Sequence, residues 1–274
     1  MKFYDLFLDF SRKLDELIPR IRVQGDVAEI DAKDLTHKEI NDLIRYAVFE
    51  HNCNKIRLLN VVGQRNIGTR IFSRNPRKIS VEIFGYPGND LGAFLAGHKI
   101  VVHGNAQDGV GNTMDDGEII VHGRAGDVVA MSMRGGRIMI RDDVGYRTAI
   151  HMKEYKEKVP VLIVGGTSQD FLGEYMAGGR VVLLGLNTNG AYSARYIGTG
   201  MHGGIIYVRG KLEPWQVGRE VGILELSSED FRFLEKHVGD FCKEFGFDAD
   251  EVLGDKFLKL LPVSKRPYGK VYVY

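Results

Sequence analysis

Two histidines, His103 and His122, each close a short aliphatic run, and Arg141 follows His122 at the interval that separates the pair. Imidazoles stacked at the inter-strand spacing of about 5 Å could bind an anion or, with a carboxylate or thiolate beside them, a metal. No acid or cysteine joins that column, and an arginine repels a cation. The pair therefore reads first as a surface ladder and second as an anion or subunit contact. Asp115-Asp116 and Asp142-Asp143 are paired acids in turns, where carboxylates ordinarily serve solvent or backbone rather than catalysis. Gly63-Gln64-Arg65-Asn66-Ile67-Gly68 and the run from Gly104 to Gly111 are rich enough in glycine to suggest phosphate loops. A dinucleotide fingerprint needs a helix next, and here another strand follows. Cys53 and Cys242 fit neither a zinc nor an iron–sulfur spacing and read as reduced thiols. No serine or cysteine sits in a nucleophile elbow, so no catalytic residue is assigned.

The elements that carry these residues repeat. Lys99–His103, Glu118–His122, Arg137–Arg141, Arg180–Leu184 and Ile205–Arg209 fall into register. One column reads Ile100, Ile119, Ile138, Val181, Ile206, and another, two positions on, reads Val102, Val121, Ile140, Leu183, Val208. Alternate residues share a strand face, so these β-branched columns form a buried ladder. Glycine is 34 of 274 residues, about 12% against an average of about 7%, without a collagen period, and it belongs to the turns. One strand and one glycine-rich turn in every stretch of about 19 residues predict a parallel β-helix. Asn89, Asp108, Asp127 and Asp170, each followed by a small residue at the third position on, are expected to bond nearby backbone N–H groups at the corners. The longer step from Ile138 to Val181 holds two repeats and an insertion at 142–160, with Pro160–Gly166 as the missing strand. Ile56–Asn60 is read as the start of the stack.

Between the buried columns lies an outward one, Val101, Ile120, Met139, Val182 and Tyr207, that is apolar although its neighbours are charged. Such a strip needs a cover, from the terminal helices or from another protein. With His103 and His122 it forms the candidate interface; on that reading, charging Ile120 and Met139 together weakens a complex and spares the fold. Phe3, Leu6, Phe7, Phe10 and Leu14 lie at helical spacing; Thr36 with Glu39 opens a helix to about His51; Ser227 and Asp230 open another to about Phe245. Trp215 reads as a core or cap anchor. The fold class expected is mainly β, a single-stranded right-handed solenoid with helical caps: residues 1–52 as N-terminal cap, 53–215 as the glycine-rich helix, 216–274 as C-terminal cap and tail.

Lys and Arg number 37 against 36 Asp and Glu, which gives no basic bias toward nucleic acid. No apolar run reaches the roughly 18 residues that a membrane span needs, and no secretory h-region opens the chain, so no membrane partner and a cytoplasmic location are expected.

Gly104-Asn105-Ala106-Gln107-Asp108-Gly109-Val110-Gly111 and its returns between Gly85 and Gly210 resemble the C-terminal GXGXG domain of the glutamate synthase large (alpha) subunit. Glu29-Ile30-Asp31-Ala32, Glu39-Ile40-Asn41 and the Gly63–Gly68 run resemble the region leading into that domain, and the likeness spans about residues 27–215. The β-helical subunit of formylmethanofuran dehydrogenase is a more distant likeness. The first resemblance implies a right-handed β-helix that holds glutaminase and FMN-synthase domains together while glutamine and 2-oxoglutarate become glutamate. It places FMN and an iron–sulfur cluster in the partner synthase, none in this chain, and makes the chain a free-standing structural subunit. A subunit of a formylmethanofuran-dehydrogenase-like complex, or a stand-alone enzyme with a glycine-rich cleft, is the alternative; self-association stays open.

Overall fold

The computed structural model describes residues 14–69, 78–188 and 190–263. The expected helix at residues 3–18 falls mostly outside them; within, α1 is Leu14–Leu17. Twelve strands form one sheet in near-sequential order: β1 (Ile21–Gln24), β2 (Val27–Asp31), β3 (Lys55–Val62), β4 (Ser80–Tyr86), β5 (Ala96–Val102), β6 (Asp116–Val121), β7 (Arg137–Ile140), β8 (Val161–Val164), β9 (Ala177–Leu183) and β10 (Gly203–Arg209), then β12 (Phe257–Pro262) and, at the edge, β11 (Val221–Leu224). From β2 to β10 every pairing is parallel. The first and last pairings are antiparallel. The stack thus begins earlier than Ile56–Asn60, because β2 supplies a parallel neighbour that a short apolar alternation after α1 did not reveal.

The register delivers the expected files. Ile100 lies opposite Ile119, Ile119 opposite Ile138, Ile138 opposite Leu162, and Leu162 opposite Val181. These residues and the file two along are fully buried, and each such side chain contributes about 1.5–3 kcal/mol of hydrophobic stabilisation. Sequence reading of the strands missed a second file. Met114, Met133, Met152, Met176 and Met201 sit at equivalent corners and are fully buried, an unbranched filler that adapts to whatever the strands present. Thr36 and Glu39 form the expected capping box of α2 (His37–Glu50), whose Ile40, Leu43, Ile44, Ala47 and Val48 are buried.

Each corner uses one backbone device. Three alternate residues have positive φ: Asp90, Gly92, Phe94; Gly109, Gly111, Thr113; Val128, Ala130, Ser132; Arg147, Ala149, His151; Phe171, Gly173, Tyr175; Tyr196, Gly198, Gly200. The N–H of the middle residue donates to the preceding repeat, as from Gly111 to Leu91 O (2.9 Å). In the first five triplets those of the outer two donate to the following one, as from Gly109 to Asp127 O (2.9 Å) and from Thr113 to Met131 O (2.8 Å). The middle position points inward: a Cβ on Gly92 or Gly173 would meet the Cδ1 of Ile119 or Ile206 at 2.6 Å, and one on Gly111 would overlap the Cδ1 of Ile138 more closely still.

The insertion is small. From Ile138 to Leu162 the chain runs only a few positions longer than one repeat, and the surplus is a turn at Tyr155–Lys158, while Val144, Ala149 and Met152 keep their inward places. Trp215, expected as an anchor, is 61% exposed on a one-turn 3-10 segment, Pro214–Gln216, where the buried residue is Gln216. The polar neighbour fills the site because its amide bonds Tyr192 O and Ala194 O.

Gly111→Ala should cost about 2–4 kcal/mol, from the positive φ of +69° and the Ile138 overlap. Ile138→Val removes the overlapping Cδ1, so the double variant should be more stable than the sum of the two single losses, measured by urea unfolding. Strict additivity would place the cost elsewhere.

Candidate functional site

The apolar strip has a cover within the chain. α3 (Ser228–Phe245) lies over it, and Leu234, Val238, Phe241 and Cys242 form one cluster with Val101, Ile120, Met139, Val161, Ile163, Val182, Leu184 and Tyr207. Residues 234, 238, 241 and 245 recur at helical spacing, which gives α3 one apolar stripe. Val252 of α4 (Ala249–Gly254) and Phe257 extend the layer. Ile120 is 0% and Met139 1% exposed, so neither offers a free surface. As a docking face the five strip residues are corrected by this packing, since their partner is the C-terminal helix.

Charge ties the helix down along one margin. Lys99 Nζ reaches Glu118 Oε2 (3.0 Å), Arg137 Nε donates to Glu118 Oε1 (3.0 Å), and Arg137 Nη1 donates to Asp240 Oδ2 of α3 (2.6 Å). Burial would raise the Glu118 carboxyl, but bonds from Arg137 and Lys99 outweigh it and hold it below the usual carboxylate range.

The histidines make the other margin. Phe84 stacks on His103 (4.5 Å), His103 on His122 (5.5 Å), and Phe245 meets His122 edge-on (5.1 Å). His122 Nε2 lies 3.3 Å from Glu244 Oε1 of α3. The pair is thus a ladder, as its spacing suggested, with one ring turned to the helix and His103 left exposed. Burial depresses the basicity of His122 more than Glu244 restores it, with His103 and Arg141 adding to the depression. His237, on α3, is pushed down to about 4 by burial and then by Lys236 and Arg137.

At the start of α3, Asp230 completes a capping box with Ser227 and also accepts from Tyr207 Oη (2.6 Å) and Lys259 Nζ (2.6 Å). Burial opposes its ionisation, yet bonds from Lys259, Ser227 and Tyr207 hold it well below the usual range. Burial, with the bond to Asp230, drives the Tyr207 phenol far up. The network is a fastener, since every polar atom named is spent within it.

The other residues with chemical potential are spent likewise. Asp108 Oδ1 accepts from the N–H of Asp127 (2.9 Å), Asp127 Oδ1 from that of Tyr146 (2.9 Å), and Asp170 Oδ1 from that of Arg195 (2.8 Å), each one repeat on. Asp142 pairs with Arg141, Asp143 accepts from Thr167, and Asp115 meets Arg134. In the glycine loops, Gly63, Asn66 and Gly109 donate their N–H to Tyr86 O, Asn89 O and Asp127 O rather than facing an empty cradle. Cys53 and Cys242 are buried, and burial lifts the Cys242 thiol to about 11. Among the described residues no group of three His, Cys, Asp or Glu is placed to hold a metal, and no helix is long and apolar enough to cross a membrane.

The GXGXG motif family matches residues 53–263. Uncharacterized protein MJ1350 of Methanocaldococcus jannaschii is 52% identical over 251 residues, covering 89% of this chain and 95% of that protein.

With Ile120 and Met139 buried, introducing glutamate at both should cost on the order of 3–5 kcal/mol and unseat α3, rather than spare the fold. Amide exchange in α3 rising ahead of exchange in β6 and β7 would register it; a wild-type exchange pattern would refute it. In the unfolded chain His237 and His122 titrate near about 6.5. Their folded values are lower, so the unfolded state takes up protons first and stability falls with acid. The loss should begin near pH 6.5 and run toward pH 4, with the lowered carboxylates adding to it below about pH 5. Urea midpoints compared at both ends should show a shallower slope in His122→Gln/His237→Gln; an unchanged slope would remove both groups from the effect.

Proposed function

Because the chain belongs to the GXGXG-motif family, associated with glutamate synthase, we propose that it is a structural subunit of a split glutamate synthase. On this reading it holds separate glutaminase and FMN-synthase chains together while glutamine and 2-oxoglutarate are converted to glutamate. FMN and the iron–sulfur cluster belong to the synthase partner, and the complex works in the cytoplasm. The body that does the holding is a right-handed β-helix through the parallel strands β2 to β10, with α2, α3 and α4 as its helical caps.

The observation that supports this best is the fate of the chemical groups within the matched region. The turn acids bond neighbouring repeats, the glycine-loop amides bond backbone carbonyls, and the one helix that crosses the outer face is fixed there by ion pairs. Such an object carries load and presents surface. A holder acts by raising the effective concentration of one partner at the other, which needs a stiff span rather than reactive groups.

The test is reconstitution from the FMN-synthase and glutaminase chains of the same organism. Adding this chain should raise glutamine-dependent glutamate formation at least about tenfold, with little change in the rate when free ammonia replaces glutamine. Equal glutamine-dependent rates with and without it would overturn the reading. Copurification with molybdenum- or tungsten-enzyme subunits instead would move the chain to the formyl-transfer relatives.

A further inference from the structure

The two edges of the sheet differ. β1 reads Ile21-Arg22-Val23-Gln24, and an Arg20–Asp31 pair stands beside it (3.2 Å), the kind of charge that discourages strand addition. β11 reads Val221-Gly222-Ile223-Leu224, with no charge, proline or bulge within it, and Ile223 and Leu224 are 47% and 50% exposed.

Its hydrogen bonding shows what the edge offers. Val263 donates its N–H to Glu220 O, and Gly222 lies opposite Leu261, so by antiparallel alternation Gly222 and Leu224 turn their peptide groups to β12. Val221 and Ile223 turn theirs outward; the Val221 N–H is engaged by Gly218 O, which leaves both carbonyls and the Ile223 N–H. Arg219 and Glu225 flank the strand, both exposed, and no ion pair among the described residues takes either.

We propose that this edge is a self-pairing surface, on which β11 of a second copy adds antiparallel across a two-fold axis and joins the two sheets. Among two-fold registers that keep the bond alternation, the one through Gly222 sets each Ile223 N–H at the other copy's Val221 carbonyl. The same register brings Arg219 of each copy beside Glu225 of the other. The match is reciprocal, as an isologous contact demands. The occupant is therefore this chain itself, and the contact is independent of the synthase reading.

Sedimentation equilibrium on the full chain, at about 1–100 μM, should show a reversible dimer. Arg219→Glu alone and Glu225→Arg alone should each weaken it by about tenfold or more, because two attractive pairs become repulsive. The double variant restores opposite charges and should return to within about threefold of wild type. Thermal midpoints within about 2 °C of wild type would show that the folds are intact. A wild-type monomer over the whole range, which leaves the edge to another protein or to residues 264–274, overturns the proposal. A dimer indifferent to the single reversals overturns it equally.

Discussion

Backbone hydrogen bonding between repeats is the constraint from which the rest follows. At the first five corners the middle residue of the positive-φ triplet donates backward and the outer two donate forward, so each repeat is locked to both neighbours at fixed phase; at the sixth only the middle residue, Gly198, keeps its backward bond, to Leu172 O. Where the chain adds length it does so outside the triplets. The surplus before β8 falls after the triplet at Arg147–His151, and the surplus before β10 falls ahead of the triplet at Tyr196–Gly200. Lengthening inside a triplet would rotate inward and outward positions and orphan donors on both sides, at about 1–3 kcal/mol for each buried group left unpaired.

Fixed phase also explains where glycine is required at the inward corner and where alanine suffices. Gly92, Gly111 and Gly173 face isoleucines, whose Cδ1 occupies the space a Cβ would need. Ala130 and Ala149 hold the same corner position, with φ of 58° and 62°, and are fully buried. By the same offset along the stack they come to the level of Leu162, branched at Cγ instead of Cβ, and Val181, which has no Cδ1. Small residue and large residue are thus chosen together, repeats apart, and the methionine file takes up the remaining variation.

The files of the sheet were legible in the sequence because β-branched residues recur at an invariant interval on strands, as Ile100, Ile119 and Ile138 do. The ring spacing of His103 and His122 followed from the same arithmetic. What lay over the outer strip did not. The stripe Leu234, Val238, Phe241 shows that α3 buries one face, but periodicity carries no address for that face, and the address came from Asp240, Glu244 and Asp230 reaching Arg137, His122 and Tyr207. β12 was hidden for a related reason. It enters between β10 and β11 although it follows both α3 and α4 in the chain, and local pattern is blind to such pairings. Trp215 was misplaced because residue size, rather than hydrogen-bonding capacity, was taken to decide who is buried; Gln216 wins the site through two carbonyls.

The same constraint bears on what the molecule can do. A turn aspartate that accepts from the next repeat's N–H, or a loop amide that donates to a carbonyl, is no longer free to hold a phosphate or move a proton without loosening two repeats at once. Groups not engaged in this bonding lie where the lock ends. One such place is the outer margin at exposed His103, beyond the reach of α3, and another is the β11 edge, where antiparallel strands replace the repeat and backbone groups are left without a neighbour. Substitutions at these two places lie outside the repeat-to-repeat bonding and should leave the fold intact.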